Sequence, residues 1–455
     1  MCIIYILNTE NSRIFLIPGV FFAGSGPIAL GLARPQEMED GAGLLIYPSP
    51  QLLGRSPMPL PSIEQTDVAG KKVLLRVDFN VPLDKATGAI SDDTRMVKSL
   101  PTIGLLLSRG AAIVIVSHLG RPEKKGDASL SMKQVAEHLG KLLPAVKVQF
   151  SPEAVGAVPE ELAGKLGRGE ILVLENIRFY EEETSKEEKV RTDLAKKLCK
   201  LADIYCNDAF GAAHRAHAST YDCAKLLPGF AGLLLKKEID VLEKIMTNPA
   251  RPFVAVIGGS KVSSKLGVLE SLVLKADSIL IGGAMAYTFL KSRLIETGNS
   301  MVEKDYLSQA FQIVDKAAYN KHELLLPEDH VIASEFGEKG KVKTVKRAIP
   351  DGFMGMDIGP KTADHYAKVI KNAKTVLWNG PMGVFEMKKF SAGTYAIAKA
   401  MAKVKGSTIV GGGDSIFALT QSGLEDKMTH VSTGGGATLE YLEGKKLPGV
   451  EALMK

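Results

Sequence analysis

The sequence predicts an α/β protein whose parallel sheets are covered by helices on both faces and divided between two domains. Short runs that are apolar throughout, such as 111–116 and 253–257, alternate with helical stretches such as 130–143 and 185–201. The chain of 455 residues is also too long for one ordinary core. In addition, the residues that follow the strands change near the middle of the chain, from cationic side chains to glycines.

The overall composition narrows the possible partners. The formal net charge is +6 and only 6% of the residues are aromatic, so the strongly basic character typical of nucleic-acid binding is missing. None of the four cysteines forms a C-x-x-C pair; they are Cys2, Cys199, Cys206 and Cys223. We therefore expect reduced thiols, as in a cytoplasmic protein, rather than disulfides or a zinc site.

The first 57 residues differ from the rest of the chain. Residues 14–33 are almost entirely apolar, as in a signal sequence or a marginal transmembrane helix. However, prolines and glycines interrupt this stretch, and no positive cluster precedes it. We predict that residues 1–57 are a disordered or mis-started extension, with a targeting segment as the alternative.

Cationic side chains follow the strands predicted in the first half, at 73–77, 111–116, 171–174 and 202–206. The segments after these strands carry His118, Arg121, Arg178, His214, Arg215 and His217, and Arg95 opens the helix after the first strand. Ligands bind beyond the carboxyl ends of parallel strands, so the cations are expected at one sheet edge. They would repel one another without an anion, and guanidinium groups match carboxylate and phosphate. We therefore predict that a small phosphorylated acid binds there.

Simpler interpretations apply to these residues one at a time. A single arginine after a strand is more often a surface ion pair. The His214-x-x-His217 spacing is compatible with metal ligation, although no third ligand follows at a fixed spacing. The clustering of so many cations is what favours an anion site.

Glycines replace the cations in the second half, after a helical connector predicted at 233–247. The predicted strands there lead into Gly258-Gly259, Gly282-Gly283, Gly380, Gly411–Gly413 and Gly434–Gly436. Glycine lets backbone N–H groups and a flat base approach closely. Five such turns at one sheet edge indicate a nucleotide site.

The most informative of these turns is Thr408–Ser415, a β-branched run followed by three glycines and two residues that often cap helices. A glycine turn at a helix N-terminus suits phosphate, and Asp414 offers a carboxylate for a magnesium ion on a phosphate chain. Lys261 and Lys265 are four apart at a predicted helix start, so we expect them on one face, where they could contact phosphoryl oxygens. A solvated lysine pair is the alternative.

Together the two halves predict phosphoryl transfer between a nucleotide and a small anion. The P-loop and protein-kinase motifs are absent from the sequence. A carboxylate acceptor is already ionised at pH 7 and needs no base, which fits the cationic segments. A hydroxyl acceptor stays possible at this point, because Asp78 could act as a base.

Several motifs are distinctive, and together they resemble phosphoglycerate kinase from about residue 60 to the end. The motifs are 76–82 (RVDFNVP), 117–122 (SHLGRP), 207–211 (NDAFG), 214–217 (HRAH), 378–381 (WNGP), 411–414 (GGGD) and 432–436 (STGGG). The resemblance implies two Rossmann-like domains with parallel sheets, joined by a hinge helix. It also implies reversible, ATP-dependent phosphorylation of 3-phosphoglycerate to 1,3-bisphosphoglycerate, with magnesium.

The resemblance further implies roles for individual residues. Phosphoglycerate would be bound by Asp78, Phe79, Asn80, Arg95, His118, Leu119, Gly120, Arg121, Arg178 and Arg215. ATP or ADP would be bound by Lys265, Gly355, Glu386, Gly412, Gly413, Asp414 and Ser415, with Asp414 also on the metal. The catalytic residues would be Arg95, Lys261, Lys265, Gly413 and Gly436. Ser415 departs from the family pattern, where threonine is usual, but keeps the hydroxyl.

The same resemblance sets the expected organisation. We predict a phosphoglycerate-binding domain at 58–228, a nucleotide-binding domain at 229–438, and a segment at 439–455 that returns to the first domain. We expect a cytoplasmic monomer whose partners are 3-phosphoglycerate and ATP, with neither nucleic acid nor membrane. A nicotinamide dehydrogenase would need G-x-G-x-x-G in the folded part, where it is missing. A non-catalytic scaffold would not need both the cationic residues after the strands of the first half and the glycine turns after those of the second half.

Overall fold

Two six-stranded parallel sheets carry the fold, one in each half of the chain. The computed structural model describes residues 4–6, 13–15, 60–84, 86–123, 126–337 and 339–454. Residues 1–59 form a separate unit, in which β1 (Ile4–Ile6) pairs antiparallel with β2 (Arg13–Phe15). The rest of that unit lies outside the described residues, so the interpretation of 1–57 as an extension stays a prediction.

The first sheet contains the four predicted strands of this half and two more. Its strands are β3 (Lys72–Arg76), β4 (Ala112–Val116), β5 (Val148–Phe150), β6 (Ile171–Val173), β7 (Ile204–Asn207) and β8 (Gly229–Ala231). Their order in the sheet is β5-β6-β4-β3-β7-β8, and every pair is parallel. The helices of this half are α1 (Thr94–Ser108), α2 (Lys133–Leu142), α3 (Ala157–Lys165), α4 (Glu188–Cys199) and α5 (Cys223–Leu226).

The uninterrupted apolar runs are explained by cores on both faces of this sheet. Val73 and Leu75 belong to one core cluster, while Leu74 between them belongs to another. In the next strand, Ile113 belongs to the same cluster as Val73, and Val114 belongs to the same cluster as Leu74. Successive side chains of a strand point to opposite faces, so a sheet covered on both sides needs apolar residues at every position.

The last strand of the first sheet lies beyond the predicted end of the first domain at residue 228. We assigned residues from 229 onward to the second domain, but Gly229–Ala231 is β8, which pairs in parallel with β7 of the first sheet. The strand has only three residues and starts with glycine, so its pattern resembles a loop more than a strand. The first sheet therefore extends to Ala231.

A 15-residue helix, α6 (Leu233–Thr247), follows β8 directly and has the bounds predicted for the connector. Beyond it the strands are β9 (Phe253–Ile257), β10 (Ser278–Ile281), β11 (Glu323–Leu325), β12 (Asp329–Ala333), β13 (Val342–Lys346), β14 (Met354–Ile358), β15 (Thr375–Asn379), β16 (Ser407–Gly411) and β17 (His430–Val431). The helices are α7 (Leu266–Leu272), α8 (Met285–Ser292), α9 (Leu307–Tyr319), α10 (Pro360–Lys371), α11 (Ala392–Met401), α12 (Gly413–Ser422), α13 (Gly436–Leu442) and α14 (Pro448–Glu451).

The second parallel sheet has the order β11-β10-β9-β15-β16-β17. All five strands that lead into glycine turns therefore lie in one sheet, as predicted. Strands β12, β13 and β14 form a separate antiparallel sheet, with β12 in the middle. The α/β class with two sheets of parallel strands is confirmed.

The C-terminal segment contacts the first half of the chain. The Gly449 N–H donates to the Ala213 carbonyl at 2.8 Å, and Asn207 Nδ2 donates to the Gly449 carbonyl at 3.3 Å. Asn207 ends β7, so α14 lies against the carboxyl end of the first sheet. The exact domain boundaries stay a prediction.

Among the described helices, none has both the length and the apolar character that a bilayer crossing requires. Of the apolar stretch 14–33, only residues 14 and 15 belong to the described part of the chain.

Candidate active site

A cleft of about 300 Å³ lies where the carboxyl ends of the first sheet meet a turn of the second half. Seven of the predicted phosphoglycerate-binding residues line it: Asp78, Asn80, Arg95, His118, Gly120, Arg121 and Arg178. The opposite wall is Thr433–Gly436, the glycine turn that follows β17. The cleft therefore joins the cationic edge of one sheet to a backbone-rich turn of the other.

Asp78 is the negative group of this cleft. Its Oδ2 accepts a hydrogen bond from Arg95 Nη1 at 2.7 Å, and its Oδ1 accepts from the Asn80 N–H at 3.2 Å. Burial alone would raise the pKa of Asp78, but the surrounding positive groups, among them the guanidinium groups of Arg95 and Arg76, outweigh it and lower the pKa below the ordinary value. Asp78 is thus an anion at neutral pH and a weak base.

The loop after β4 is fixed by polar contacts beneath the cleft. Asn80 Oδ1 accepts from the Gly120 N–H at 2.8 Å, and Arg178 Nη1 donates to the Gly120 carbonyl at 2.7 Å. The buried Asn176 donates to the Leu119 carbonyl at 2.8 Å and accepts from the Leu119 N–H at 3.3 Å. The sequence pattern alone gave no indication of this supporting role for Asn176.

The charges in the cleft are unbalanced. Three guanidinium groups, those of Arg95, Arg121 and Arg178, face the single carboxylate of Asp78. His118 adds no charge at neutral pH, because burial lowers its pKa well below the ordinary value in spite of the nearby Asp78. Burial and the neighbouring Arg76 also lower the pKa of Arg178, which reflects the crowding of cations. An anionic ligand would relieve this crowding.

Some predicted residues do not reach the cleft with their side chains. Phe79 and Leu119 are core residues, at most 1% exposed, so only their backbone can face a ligand. Arg215 is exposed instead, and its Nη2 lies 3.9 Å from Glu440 Oε1 on α13. The cleft lining does not include it.

The alternative of a histidine metal site has no support in the described part of the chain. No group of three or more His, Cys, Asp or Glu side chains comes together there in a way that could hold a metal ion. Instead, His217 Nδ1 lies 3.8 Å from Glu183 Oε1, and burial lowers the pKa of His217 to about 3.

The strand-turn-helix unit predicted at Thr408–Ser415 is present as β16 followed by α12. Gly412 is the residue before the helix and has φ +89°, a conformation that side chains rarely adopt. A Cβ there would also lie 3.1 Å from Asn379 Nδ2. The turn therefore presents open backbone at the N-terminus of a ten-residue helix, as a phosphate site requires.

Lys265 and Asn379 form a polar pair beside this turn. Lys265 Nζ donates to Asn379 Oδ1, while Asn379 Nδ2 is buried and has no hydrogen-bond partner among the described residues. Burial lowers the pKa of Lys265 to about 8, although Asp414 and Glu443 act in the opposite direction. A buried donor without a partner is costly, so Asn379 marks a place for an acceptor that comes from a ligand. Sequence reasoning quoted Asn379 in a motif but gave it no role.

Two local predictions in this half are wrong. Lys261 and Lys265 do not share a helix face, because α7 begins only at Leu266 and residues 261–265 form a turn. Lys261 is exposed, whereas Lys265 is partly buried. The second error concerns the helix cap: Gly412 occupies the cap, and Asp414 and Ser415 lie in the first turn of α12.

Asp414 and Ser415 point in different directions. Asp414 is exposed at the helix N-terminus. Ser415 is fully buried, and its Oγ accepts from the Gly380 N–H at 2.5 Å. The Ser415 hydroxyl thus connects two glycine turns of the sheet edge.

Gly355 and Glu386 complete the predicted nucleotide residues. Gly355 lies in β14, where its N–H donates to Ser300 Oγ at 2.9 Å. A Cβ at this position would overlap the Tyr287 hydroxyl, at 1.9 Å. Glu386 is exposed and directly follows Phe385, whose ring packs edge-on against Phe417 of α12 at 5.9 Å.

The connector helix α6 binds the turn that forms the far wall of the cleft. Glu238 is completely buried, and its Oε1 accepts from the Thr433 N–H at 2.6 Å and from Thr433 Oγ1 at 2.8 Å. Its Oε2 lies 2.8 Å from His430 Nε2. Burial would raise the pKa of Glu238, but His430 and Thr433 outweigh it and lower the pKa. Glu238 therefore positions the Thr433–Gly436 turn.

Replacing Glu238 by alanine is expected to lower the free energy of unfolding by about 3–5 kcal/mol, because His430 and the Thr433 amide lose their buried partner. Urea unfolding followed by the fluorescence of Trp378, the only tryptophan, measures this. Glu440→Ala is the matched control, since its ion pair among the described residues is the 3.9 Å contact with the exposed Arg215; about 0.5 kcal/mol or less is expected. An equal loss of unfolding free energy in the two variants would show that the buried contacts of Glu238 stabilise the fold no more than a surface ion pair does.

The fold and the site place a cleft lined by cationic side chains on one sheet and a glycine-rich edge on the other, an arrangement that suits a kinase. Residues 63–445 match the family model described as phosphoglycerate kinase. The chain belongs to the phosphoglycerate kinase family and is a transferase of glycolysis.

Relatives and solved structures agree with this assignment. Phosphoglycerate kinase from Leptospira biflexa is 55% identical over 398 residues, covering 87% of this chain and 99% of that protein. The cytosolic phosphoglycerate kinase of Triticum aestivum is 50% identical, over 86% of this chain and 97% of its own. The structure of phosphoglycerate kinase from Coxiella burnetii superimposes with a TM-score of 0.77 at 40% identity, over 87% of this chain and 99% of that one.

Proposed function

We propose that the chain transfers the γ-phosphoryl group of ATP reversibly to the carboxylate of 3-phosphoglycerate, giving 1,3-bisphosphoglycerate and ADP. The observation that carries this proposal is the cleft itself, in which the cationic edge of the first sheet faces the Thr433–Gly436 turn of the second half. A compact polyanion fits the first wall, and backbone N–H groups of the second suit an oxyanion.

The acceptor substrate binds to the first half in this proposal. Arg121, Arg178 and His118 bind its phosphate and carboxylate oxygens, and Asp78 and Asn80 orient its hydroxyl and the surrounding loops. Arg95 is 39% exposed, so its guanidinium can turn from Asp78 to the transferring group. Gly120 contributes backbone, and the buried side chains of Phe79 and Leu119 shape the loops. Arg215 acts more remotely, through its place beside α13.

The nucleotide binds to the second half. Gly412, Gly413 and the N-terminus of α12 bind the phosphate chain, with Lys265 and Asn379 beside it. Glu386 binds the ribose, Gly355 lies close to the nucleotide, and Ser415 holds the turn in shape through Gly380. Lys261 is exposed, so it can reach phosphoryl oxygens only as a mobile charge.

Magnesium fits this arrangement as an ion carried by the nucleotide. The described residues build no cage of three or more ligands, whereas magnesium on a phosphate chain needs only one or two carboxylates. Asp414, exposed beside the phosphate turn, supplies one. When bound, the ion would neutralise charge on the β- and γ-phosphates.

The chemical step needs no base. A carboxylate oxygen of 3-phosphoglycerate attacks the γ-phosphorus, the bond between that phosphorus and the β–γ bridging oxygen breaks, and ADP leaves without proton transfer. Arg95, Lys265 and the N–H groups of Gly434–Gly436 neutralise the charge that the transferring group carries. The low pKa of Asp78 supports this route over a hydroxyl acceptor, which would require a stronger base.

Nucleotide affinity is expected to fall as the pH rises through about 8. The pKa of Lys265 is about 8 in the free protein, so the ammonium that attracts phosphate is present below this pH and lost above it. Since bound phosphate would raise that pKa, ADP binding weakens by up to about tenfold per pH unit above 8. Calorimetric titration from pH 7 to 9 measures this. The same slope in Lys265→Met would contradict the assignment.

The proposed setting is a cytoplasmic monomer. The wheat relative is named as cytosolic, which supports the compartment. The cysteines that the structure describes as free, Cys199, Cys206 and Cys223, are compatible with a reducing compartment. The proposed site is complete within one chain, which supports a monomer.

A coupled assay tests the function. With 3-phosphoglycerate, ATP, magnesium and an added dehydrogenase that reduces 1,3-bisphosphoglycerate, NADH oxidation should depend on every component. NADH consumption without the added dehydrogenase would instead favour a nicotinamide enzyme. No turnover with all components present would reject the proposal.

A further inference from the structure

A buried arginine lies directly behind the acceptor cleft. Arg76 ends β3, is 1% exposed and does not line the cleft. Its Nη2 lies 3.1 Å from His118 Nδ1, its Nε donates to Ser219 Oγ at 2.9 Å, and its Nη1 donates to the Val77 carbonyl. All three nitrogens of the guanidinium are therefore engaged.

The contact with His118 decides where the proton of the imidazole lies. A guanidinium has only donors, so the nitrogen that meets Arg76 Nη2 must be an acceptor. His118 Nδ1 is therefore unprotonated, and the neutral ring carries its proton on Nε2. Nε2 is the nitrogen that lies 4.0 Å from Asp78 Oδ1, and His118 lines the cleft.

We propose that Arg76 is a positioning residue for the acceptor substrate, which acts by holding His118 as an N–H donor directed into the cleft. This inference rests on the proposed function, because the cleft must receive an anionic oxygen of 3-phosphoglycerate. In the other tautomer a lone pair would face that oxygen and repel it. The contact with Arg76 therefore determines whether His118 attracts or repels the substrate.

A buried acid, Glu183, holds Arg76 in place through the side chain of Ser219. The Ser219 hydroxyl accepts from Arg76 and donates to Glu183 Oε1 at 2.7 Å, and the Ser219 N–H donates to Glu183 Oε2 at 2.9 Å. Glu183 is 1% exposed. Because both capacities of the hydroxyl are used, the guanidinium cannot rotate away from His118 without leaving a buried donor unpaired.

The surrounding charges also keep His118 neutral. It is faced by Asp78 and Arg76 from β3 and the loop after it, by Arg95 from α1, and by Arg178 from the segment after β6. Burial and the arginines lower the pKa of His118 well below its ordinary value, whereas Asp78 alone acts to raise it. Without Arg76, His118 Nδ1 no longer has to accept a hydrogen bond. One of the positive charges that oppose protonation of the ring is also lost.

Long-range 1H–15N NMR on the full chain with 15N-labelled histidine tests the tautomer without any substrate. His118, assigned by the loss of its signals in His118→Ala, should show a protonated Nε2 and an unprotonated Nδ1 from pH 6 to 8. In Arg76→Met the two nitrogens should approach averaged shifts, or His118 should titrate at higher pH. Arg191→Met is the matched control, because Arg191 is also buried but pairs with Asp222 at 2.9 Å; it should leave His118 unchanged. A protonated Nδ1 in the wild type, or an unchanged ring in Arg76→Met, would overturn the inference.

Kinetics then test the link to substrate. Arg76→Met should raise the KM for 3-phosphoglycerate about tenfold, the order expected for one charge-assisted hydrogen bond, and leave the KM for ATP unchanged. In a His118→Ala background the same substitution should add no further increase. An equal increase in both backgrounds would contradict action through His118.

If Arg76→Met does not fold, Ser219→Ala replaces it, with the same direction expected. An inactive wild type would reject the proposed function while the NMR result still decides the tautomer.

Discussion

Replacing Arg95 by alanine is expected to lower turnover by about 10²- to 10³-fold, the range for losing one donor that stabilises transition-state charge. Arg95 lies at the start of α1, with its Nη1 2.7 Å from Asp78 Oδ2 in the cleft. Because it belongs to the first half, the affinity for ADP should change little. Steady-state kinetics and ADP titration of the same variant separate the two effects.

Arg109→Ala is the matched control for Arg95. Arg109 follows the last residue of the same helix, and its Nη1 donates to the Ile63 carbonyl at 3.3 Å, away from the cleft. Its turnover should equal that of the wild type. An Arg95→Ala enzyme of unchanged rate, or equal losses in both variants, would reject a catalytic role for Arg95.

Replacing Lys265 by methionine is expected to have the second large effect, again about 10²- to 10³-fold in turnover. Unlike Arg95, Lys265 lies in the second half and donates to Asn379 beside the Gly411–Gly413 turn, so ADP should also bind more weakly. Methionine keeps most of the length of the side chain and removes the charge together with the hydrogen bond to Asn379.

Two further lysines calibrate that result. Lys261→Met should have a smaller effect than Lys265→Met, because Lys261 is exposed and outside the helix. Lys291→Met, which removes a surface ion pair between Lys291 of α8 and Glu296, should leave the rate unchanged. A larger loss for Lys261 than for Lys265 would reverse the proposed order of the two.

Much of the fold follows from local patterns. Fully apolar strands such as β4 and β9 are visible because both faces of their sheets are covered, and α6 has the bounds that its pattern predicts. The cations and the glycines follow directly after these strands in the sequence, so the cationic and glycine-rich edges could be located from the sequence. The individual roles came from the resemblance to phosphoglycerate kinase.

The parts that sequence reasoning missed depend on distant contacts. Arg76 looks like an ordinary strand end, and its partner Ser219 is 143 residues away. Asn379 becomes conspicuous only because its buried Nδ2 has no partner in the described chain. Glu238 is one of several charged residues on an amphipathic helix, and only its contacts with His430 and Thr433 distinguish it.

Local geometry explains the remaining errors. Four residues separate Lys261 from Lys265, which would place them on one helix face, but the chain forms a turn there and α7 starts one residue later. Asp414 and Ser415 have the composition of a cap, yet the positive φ at Gly412 moves the helix start two residues earlier. Spacing rules hold only once the helix has begun.

The central claim is that a carboxylate accepts the phosphoryl group in the cleft around Arg95. Hydroxylamine trapping tests it most directly, since an acyl phosphate reacts to give a hydroxamate and a phosphate ester does not. The purified full chain with ATP, magnesium, 3-phosphoglycerate and hydroxylamine should form a hydroxamate in step with ADP, and Arg95→Ala should form it about 10²- to 10³-fold more slowly. ADP release without hydroxamate would show that the acceptor is not the carboxylate and would contradict the account.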